Sequence, residues 1–269
     1  MNNRVKVFFR SFIISFFAFS LIAAIVLLVA YSALTAVDPE SRPSNVLVAA
    51  LDANGNIFSI SVVNVDPQEE SFSFVYIPDN TLIEENVVLQ SLYNKQNILE
   101  LKKSIEDLLG VTISRYMIFT PEKISSVTNK MGSFEYSINY PFDFEGTELF
   151  GTVLMNGDMA KAMFSYQSYD TKTASLSYVG VSYLQSFLSK YSNEDDMDRL
   201  LSAIISDGFC NSPYTNLSEE ELSEYASVFR KYPYASHKNV NIEGEYNETT
   251  ARKYFIPLKT KSDKNIFEK

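Results

Sequence analysis

Asn45-Val46-Leu47-Val48-Ala49-Ala50-Leu51-Asp52 is the stretch from which the fold is read. It is an apolar run of strand length that ends on an aspartate, too short for a helix of ordinary size. Outward from it, Asn54-Gly55 is a tight-turn dipeptide. Residues 57–65 then bring Ile57, Phe58, Ile60, Val62, Val63 and Val65 before Asp66-Pro67 stops the run. Residues 71–77 make a third apolar stretch after the polar Gln68-Glu69-Glu70. Three strands this close in sequence predict a sheet that begins as hairpins.

In the other direction, Arg4, Lys6 and Arg10 precede an uncharged run over residues 11–37, and every acidic residue lies after it. The run exceeds the ~20 apolar residues that a bilayer-spanning helix needs. It also exceeds the ~7–15 of a signal-peptide core, although Ala33-Leu34-Thr35-Ala36 is a weak match to a cleavage site. Basic flanks stay in the cytoplasm. The expected layout is a cytoplasmic basic segment over 1–10, a transmembrane anchor in the lipid bilayer over 11–34 and a stalk over 35–44. An extracytoplasmic domain over 45–258 and a frayed Lys-rich tail over 259–269 complete it. This describes a single-pass protein of the cell membrane with its C-terminal domain outside.

Charge narrows the function. The chain has 23 basic and 33 acidic residues, so removing the three N-terminal cations leaves 20 against 33 on the exported part. That is the wrong sign for nucleic acid, whose binding rests on neutralised phosphates. Cys210 is the only cysteine and His237 the only histidine. An intramolecular disulfide and a zinc site of several His or Cys ligands are excluded by count. Cys210, beside Ile204, Ile205 and Phe209, reads as a half-buried thiol, and His237 as a surface residue.

Helical signals follow the strands. Asn97-Ile98-Leu99-Glu100 reads as a capping box ahead of Leu101, Ile105, Leu108 and Leu109, with Gly110 as the stop. A strand is expected over 115–120, a helix from Pro121 to about Met131, and a strand from Phe134 to Pro141. Helices are then expected from Asn156-Gly157-Asp158 through Ala162, over 176–190, after Ser192 with Asp195, and after the capping box Ser218 with Glu221. A last strand is expected over 239–242. The class is α/β (α+β): a central mixed β-sheet flanked by helices, preceded by one N-terminal transmembrane helix.

The order of these pieces resembles the LytR–CpsA–Psr family of envelope proteins over roughly residues 45 to 230. The resemblance is carried by the strand ending at Asp52, Tyr76-Ile77-Pro78-Asp79-Asn80-Thr81, Leu108-Leu109-Gly110-Val111, Met131-Gly132-Ser133-Phe134 and Leu154-Met155-Asn156-Gly157-Asp158-Met159-Ala160. It implies an outward-facing domain with an apolar tunnel for a lipid tail. In the family, arginines capture the pyrophosphate of a polyprenyl-linked glycopolymer, and a carboxylate-held divalent cation such as Mg²⁺ stabilises the phosphoryl group during transfer to the cell wall. Arg forks suit a pyrophosphate because they capture its oxygens two at a time.

Of the charged positions of that pattern, this chain keeps Asp52 and departs at the others. The family's Arg-Ser-Asp-Thr aligns with Asn56-Ile57-Phe58-Ser59, losing the arginine and a metal-binding carboxylate. Its Ile-Pro-Arg-Asp-Thr has become Ile77-Pro78-Asp79-Asn80-Thr81, and its paired arginines fall on Ser165 and Gln167. The ligand-binding positions carried over are therefore Asp52, Asp79, Thr81, Ser165 and Gln167. Asp52 is also the one metal ligand the resemblance implies, and on its own residues it reads as a turn or helix-cap carboxylate. Losing one charge-stabilising group costs ~10²–10³ in rate, and several are gone. The implied protein has no catalytic residues and no cofactor, with a divalent cation only if the site is active. It keeps the fold to bind a polyprenyl-linked or glycan ligand, or an envelope partner. Transfer through a rebuilt site, with Arg115, Lys161 or Lys172 supplying charge, and a purely structural scaffold are the other two readings. Tyr166, Tyr169, Tyr178 and Tyr183 fit either a carbohydrate face or half-buried helix positions.

Overall fold

The computed structural model describes residues 43–66, 68–84, 87–93, 98–166, 176–232, 235–248, 253–258 and 266–267. The transmembrane anchor expected over 11–34 lies outside the described residues. Among the described residues no helix is long and apolar enough to cross a membrane.

The quoted stretch is β1 (Ser44–Leu51), so Ser44 belongs to the sheet and not to the stalk. It pairs antiparallel with β2 (Ile57–Asp66), which pairs antiparallel with β3 (Ser71–Ile77). The hairpins are those the turn residues predict. Two parallel partners complete a mixed five-stranded sheet: β6 (Arg115–Phe119) beside β1, and β9 (Ser236–Val240) beside β3. The short β4 (Leu82–Glu84) and β5 (Val87–Val88) form a separate ribbon.

Alternation along the strands divides the core. Leu47, Ala49, Leu51, Ile60 and Val62 pack with Leu101, Ile105 and Leu109 of α1 (Leu99–Leu109) on one side. That helix ends at Gly110, whose φ of 66 is the left-handed C-cap conformation that glycine adopts without strain. Ile98 is the N-cap, with no side-chain bond, and Asn97, on which the expected cap rests, lies outside the described residues. On the other side sit α2 (Pro121–Met131), α3 (Gly157–Ser165), α4 (Leu176–Tyr191), α5 (Glu194–Ser206) and α6 (Glu219–Phe229).

Local chemistry explains most boundaries. Thr120 accepts from the Lys123 amide ahead of Pro121, and Asn156 accepts from the Met159 amide. Ser218 and Glu221 form the predicted reciprocal box on α6. At α5 the cap is Asn193, not Ser192, because the Ser192 hydroxyl turns back to the Leu188 carbonyl. Pro141 does not end its strand. β7 (Phe134–Phe144) runs on through a register shift between Ile138 and Phe142, the irregularity in which proline is tolerated. Its partner β8 (Thr147–Met155), and the ribbon of β10 (Gly244–Glu248) and β11 (Lys253–Pro257), are not in the sequence expectation. The tail is not wholly frayed: the Ile266 amide donates to the Leu109 carbonyl, and Ile266 and Phe267 pack beside α1.

Candidate functional site: an apolar cavity and the turns above the sheet

A cavity of about 170 Å³ lies between the sheet and the helices. Its floor is built from short side chains, Val46, Val48, Ser59, Ser61 and Val63, while larger residues of α2, α4, α5 and α6 roof it. Small residues under large ones leave a gap that the helices cannot close. Among the described residues, none that lines it is charged. The hydroxyls on the wall are used internally. Ser61 donates to the Val48 carbonyl at 3.1 Å, and Thr128 donates to the Ile124 carbonyl at 2.7 Å and lies 2.5 Å from the Tyr183 hydroxyl. The wall is thus apolar to a ligand, and cavities of this kind, ~150 Å³, stay dry and take apolar molecules. Val48, Leu184, Leu201, Tyr225 and Phe229 are only half-buried and mark where the cavity approaches the surface.

One edge is sealed by very close packing. A β-bulge near Leu51 turns both Phe58 and Ser59 toward the helices. Ser177, in the first turn of α4, takes the Ile60 amide at 3.0 Å, and a Cβ on Gly180 would lie only 2.0 Å from the Ser59 hydroxyl. Gly180 is required there by approach and not by backbone angle.

The sequence-derived positions fall as follows. Asp52 is buried at the end of β1; its Oδ1 accepts the Asn54 and Asn56 amides, both at 2.8 Å, and Oδ2 accepts the Asn56 side chain at 3.2 Å. This is a turn carboxylate. Phe58, where the family places a metal-binding carboxylate, is 1% exposed and packs on Phe164 at 5.0 Å. An aromatic pair cannot hold a divalent cation, which needs oxygen ligands. Among the described residues no group of three or more His, Cys, Asp or Glu could hold a metal ion. The residues present do not fit the family's cation.

Asp79, Asn80 and Thr81 form the turn after β3. Thr81 is fully buried, and both its amide and its hydroxyl donate to the Pro78 carbonyl. Burial pushes the Asp79 carboxyl up from 3.8 to about 6, against the backbone amides of Asp79 and Asn80 that favour its charge. Ser165 ends α3, next to the Phe164 that covers Phe58. Gln167 lies outside the described residues. The structure thus packs Phe58, at the position that resembles the family's carboxylate, against Phe164, the neighbour of Ser165.

Two of the three replacement cations named from the sequence are engaged. Arg115 pairs with Glu221, and Lys161 with Glu122 at 3.4 Å; Lys172 lies outside the described residues. His237 is exposed on β9, its ring stacked on Tyr232 at 4.0 Å. Cys210 is half-buried, and burial with Glu219 nearby pushes its thiol up, away from the reactive form. Of the four tyrosines considered for a carbohydrate face, Tyr183 is core and Tyr178 is exposed. Tyr178 meets Tyr76 and Tyr140, which the sequence reading passed over.

Compared by sequence, the chain matches no family model and no curated protein. Solved structures do match. B. subtilis TagV superimposes with a TM-score of 0.66 at 17% identity, covering 84% of this chain and 95% of that one. TagT, bound to LI-WTA, gives 0.60 at 14% identity over 82% and 87%. The protein EF0465 from Enterococcus faecalis, described as a transcriptional regulator, gives 0.64 at 15% identity over 81% and 82%. At these identities the likeness establishes the fold: the described domain has the fold of TagV and TagT.

Proposed function

We propose that this chain is a LytR–CpsA–Psr-type domain, held outside the cytoplasm by an N-terminal anchor, that binds the apolar part of a polyprenyl-linked envelope ligand without transferring it. The observation that carries the reading is the 170 Å³ cavity with no charge on its wall, set in the fold that TagT uses to hold LI-WTA. A prenyl chain is recognised by apolar burial at roughly 25 cal/mol per Å², which needs no arginine. A pyrophosphate head does need cations, and the positions that resemble the family's arginines and metal carboxylate hold Asn56, Phe58, Asp79, Ser165 and Gln167. Phe58 on Phe164 supports loss of transfer more strongly than the missing arginines, because it fills the carboxylate position with packed core. The acidic balance speaks against a DNA-binding role of the kind the description of EF0465 suggests.

The test is organic extraction of the full chain purified from membranes in a mild detergent, followed by mass spectrometry. A co-purifying prenyl alcohol or monophosphate is expected, and Leu201→Trp, on the half-buried wall, should remove it. A stoichiometric pyrophosphate lipid that is released when divalent cations are chelated would overturn the loss of transfer. No isoprenoid at all would overturn lipid binding in favour of a scaffold.

A further inference from the structure

The turn at Asp79 is roofed by a ribbon that ties the C-terminal part of the chain to it. The Phe255 amide donates to the Asn80 carbonyl at 3.2 Å, and Thr81 bridges to Phe255. Tyr246 stands opposite Phe255 in the β10–β11 register, with ring centroids 5.2 Å apart, so it is held near Asp79. Tyr76 is three residues before Asp79. Its ring meets Tyr178 at 5.8 Å and 84°, and Tyr178 meets Tyr140 at 6.1 Å and 88°. Tyr178 is therefore perpendicular to both neighbours. Burial pushes the Tyr246 hydroxyl up, and the nearby charges of Tyr76, Asp79 and Tyr140 add to the shift in the same direction. Two of the rings are open to solvent, Tyr178 at 39% and Tyr246 at 45% exposure.

We propose that Asp79 with Tyr76, Tyr140, Tyr178 and Tyr246 forms a binding site for an alkylammonium group. Ring faces carry negative quadrupole charge and attract a cation within about 6 Å of the centroid, most strongly when the cation is poorly hydrated. Rings set at right angles offer such faces around a corner, and one carboxylate supplies the full opposite charge. A hard metal ion is a poorer fit, because it demands six or more oxygen ligands. A neutral sugar would stack on the tyrosines but would leave the partly desolvated carboxylate uncompensated. The charge at this turn is thus inverted relative to the family's arginine, and so is the charge of the ligand. None of the five residues lines the apolar cavity, so this site stands or falls separately from the prenyl reading.

The experiment is ligand-observed NMR titration of the full chain in non-ionic detergent with tetramethylammonium, against tert-butanol as a neutral molecule of similar size. Saturable binding of the cation alone is expected, weakened roughly five- to tenfold by Asp79→Asn and by Tyr178→Leu, in line with the loss of one charge or one ring. Tyr178 is exposed enough for its replacement to leave the fold intact, checked by an unchanged circular dichroism spectrum. Equal binding of tert-butanol, or undiminished binding by Asp79→Asn, would overturn the proposal.

Discussion

Asp79→Asn should stabilise the protein at neutral pH. The native carboxyl has its pKa raised from 3.8 to about 6, chiefly by burial. Between these values the native state holds a proton that the unfolded chain has released, so stability falls as pH rises through that window and stays low above it. A rise of about two units, at about 1.36 kcal/mol each, is close to 3 kcal/mol at pH 7.5. Asp79 keeps some contact with solvent, which trims the figure to about 2 kcal/mol. Asparagine has the same shape and no charge to desolvate. The variant should therefore melt about 4–8 °C higher than the parent at pH 7.5, for a domain of this size, and within a degree or so of it at about pH 4. Glu122 and Asp207 act in the opposite sense. Their carboxyls are lowered, Glu122 mainly by a backbone hydrogen bond and Asp207 by Ser126, Lys123 and Lys130 against the cost of burial, so their contribution is lost as pH falls. Taking the difference between variant and parent cancels them. Thermal melts followed by circular dichroism at pH 4, 5.5 and 7.5 read the effect. A difference that does not change with pH, or a less stable variant at pH 7.5, would refute the reasoning. A gain would mean that the fold tolerates a destabilising carboxylate, as functional sites do.

Other substitutions test the packing. Gly180→Ala would push a Cβ against Ser59 and should cost about 1–3 kcal/mol in a denaturation midpoint. Ser59→Gly in the same chain should recover much of that loss, and no recovery would mean that the two sites are not coupled. Phe58→Asp, which restores the family's carboxylate, should destabilise by more than about 3 kcal/mol because it buries an unpaired charge in an aromatic pair. Added Mg²⁺ should not raise its melting temperature; a rise would mean that the metal site survives. Ser218→Ala removes half of the α6 capping box and should cost about 1 kcal/mol.

The central hairpins were legible because Asn54-Gly55 and the alternation of residues 57–65 act locally. So were Thr120-Pro121 and Ser218 with Glu221, where cap chemistry alone decides. β8 was not legible, because it exposes Phe150 and Leu154 and so lacks a clean polar face. Ser192 and Asn193 are both good caps, and only the Leu188 carbonyl chooses between them. The substitutions of the family's charged residues were visible in sequence. What fills their place was not: Phe58 meets Phe164, and the Phe255 amide donates to the Asn80 carbonyl, across more than a hundred residues of intervening chain. No local pattern encodes such contacts.

The central claim is that the cavity holds the tail of a prenyl ligand while nothing grips its phosphates. Its most direct measurement is calorimetric titration of the full chain with farnesol and with farnesyl pyrophosphate, with and without Mg²⁺. Equal affinities, within roughly threefold and indifferent to Mg²⁺, are predicted when apolar burial supplies the binding energy. Pyrophosphate binding tighter by about 100-fold and dependent on Mg²⁺, equivalent to close to 3 kcal/mol of head-group recognition, would contradict it.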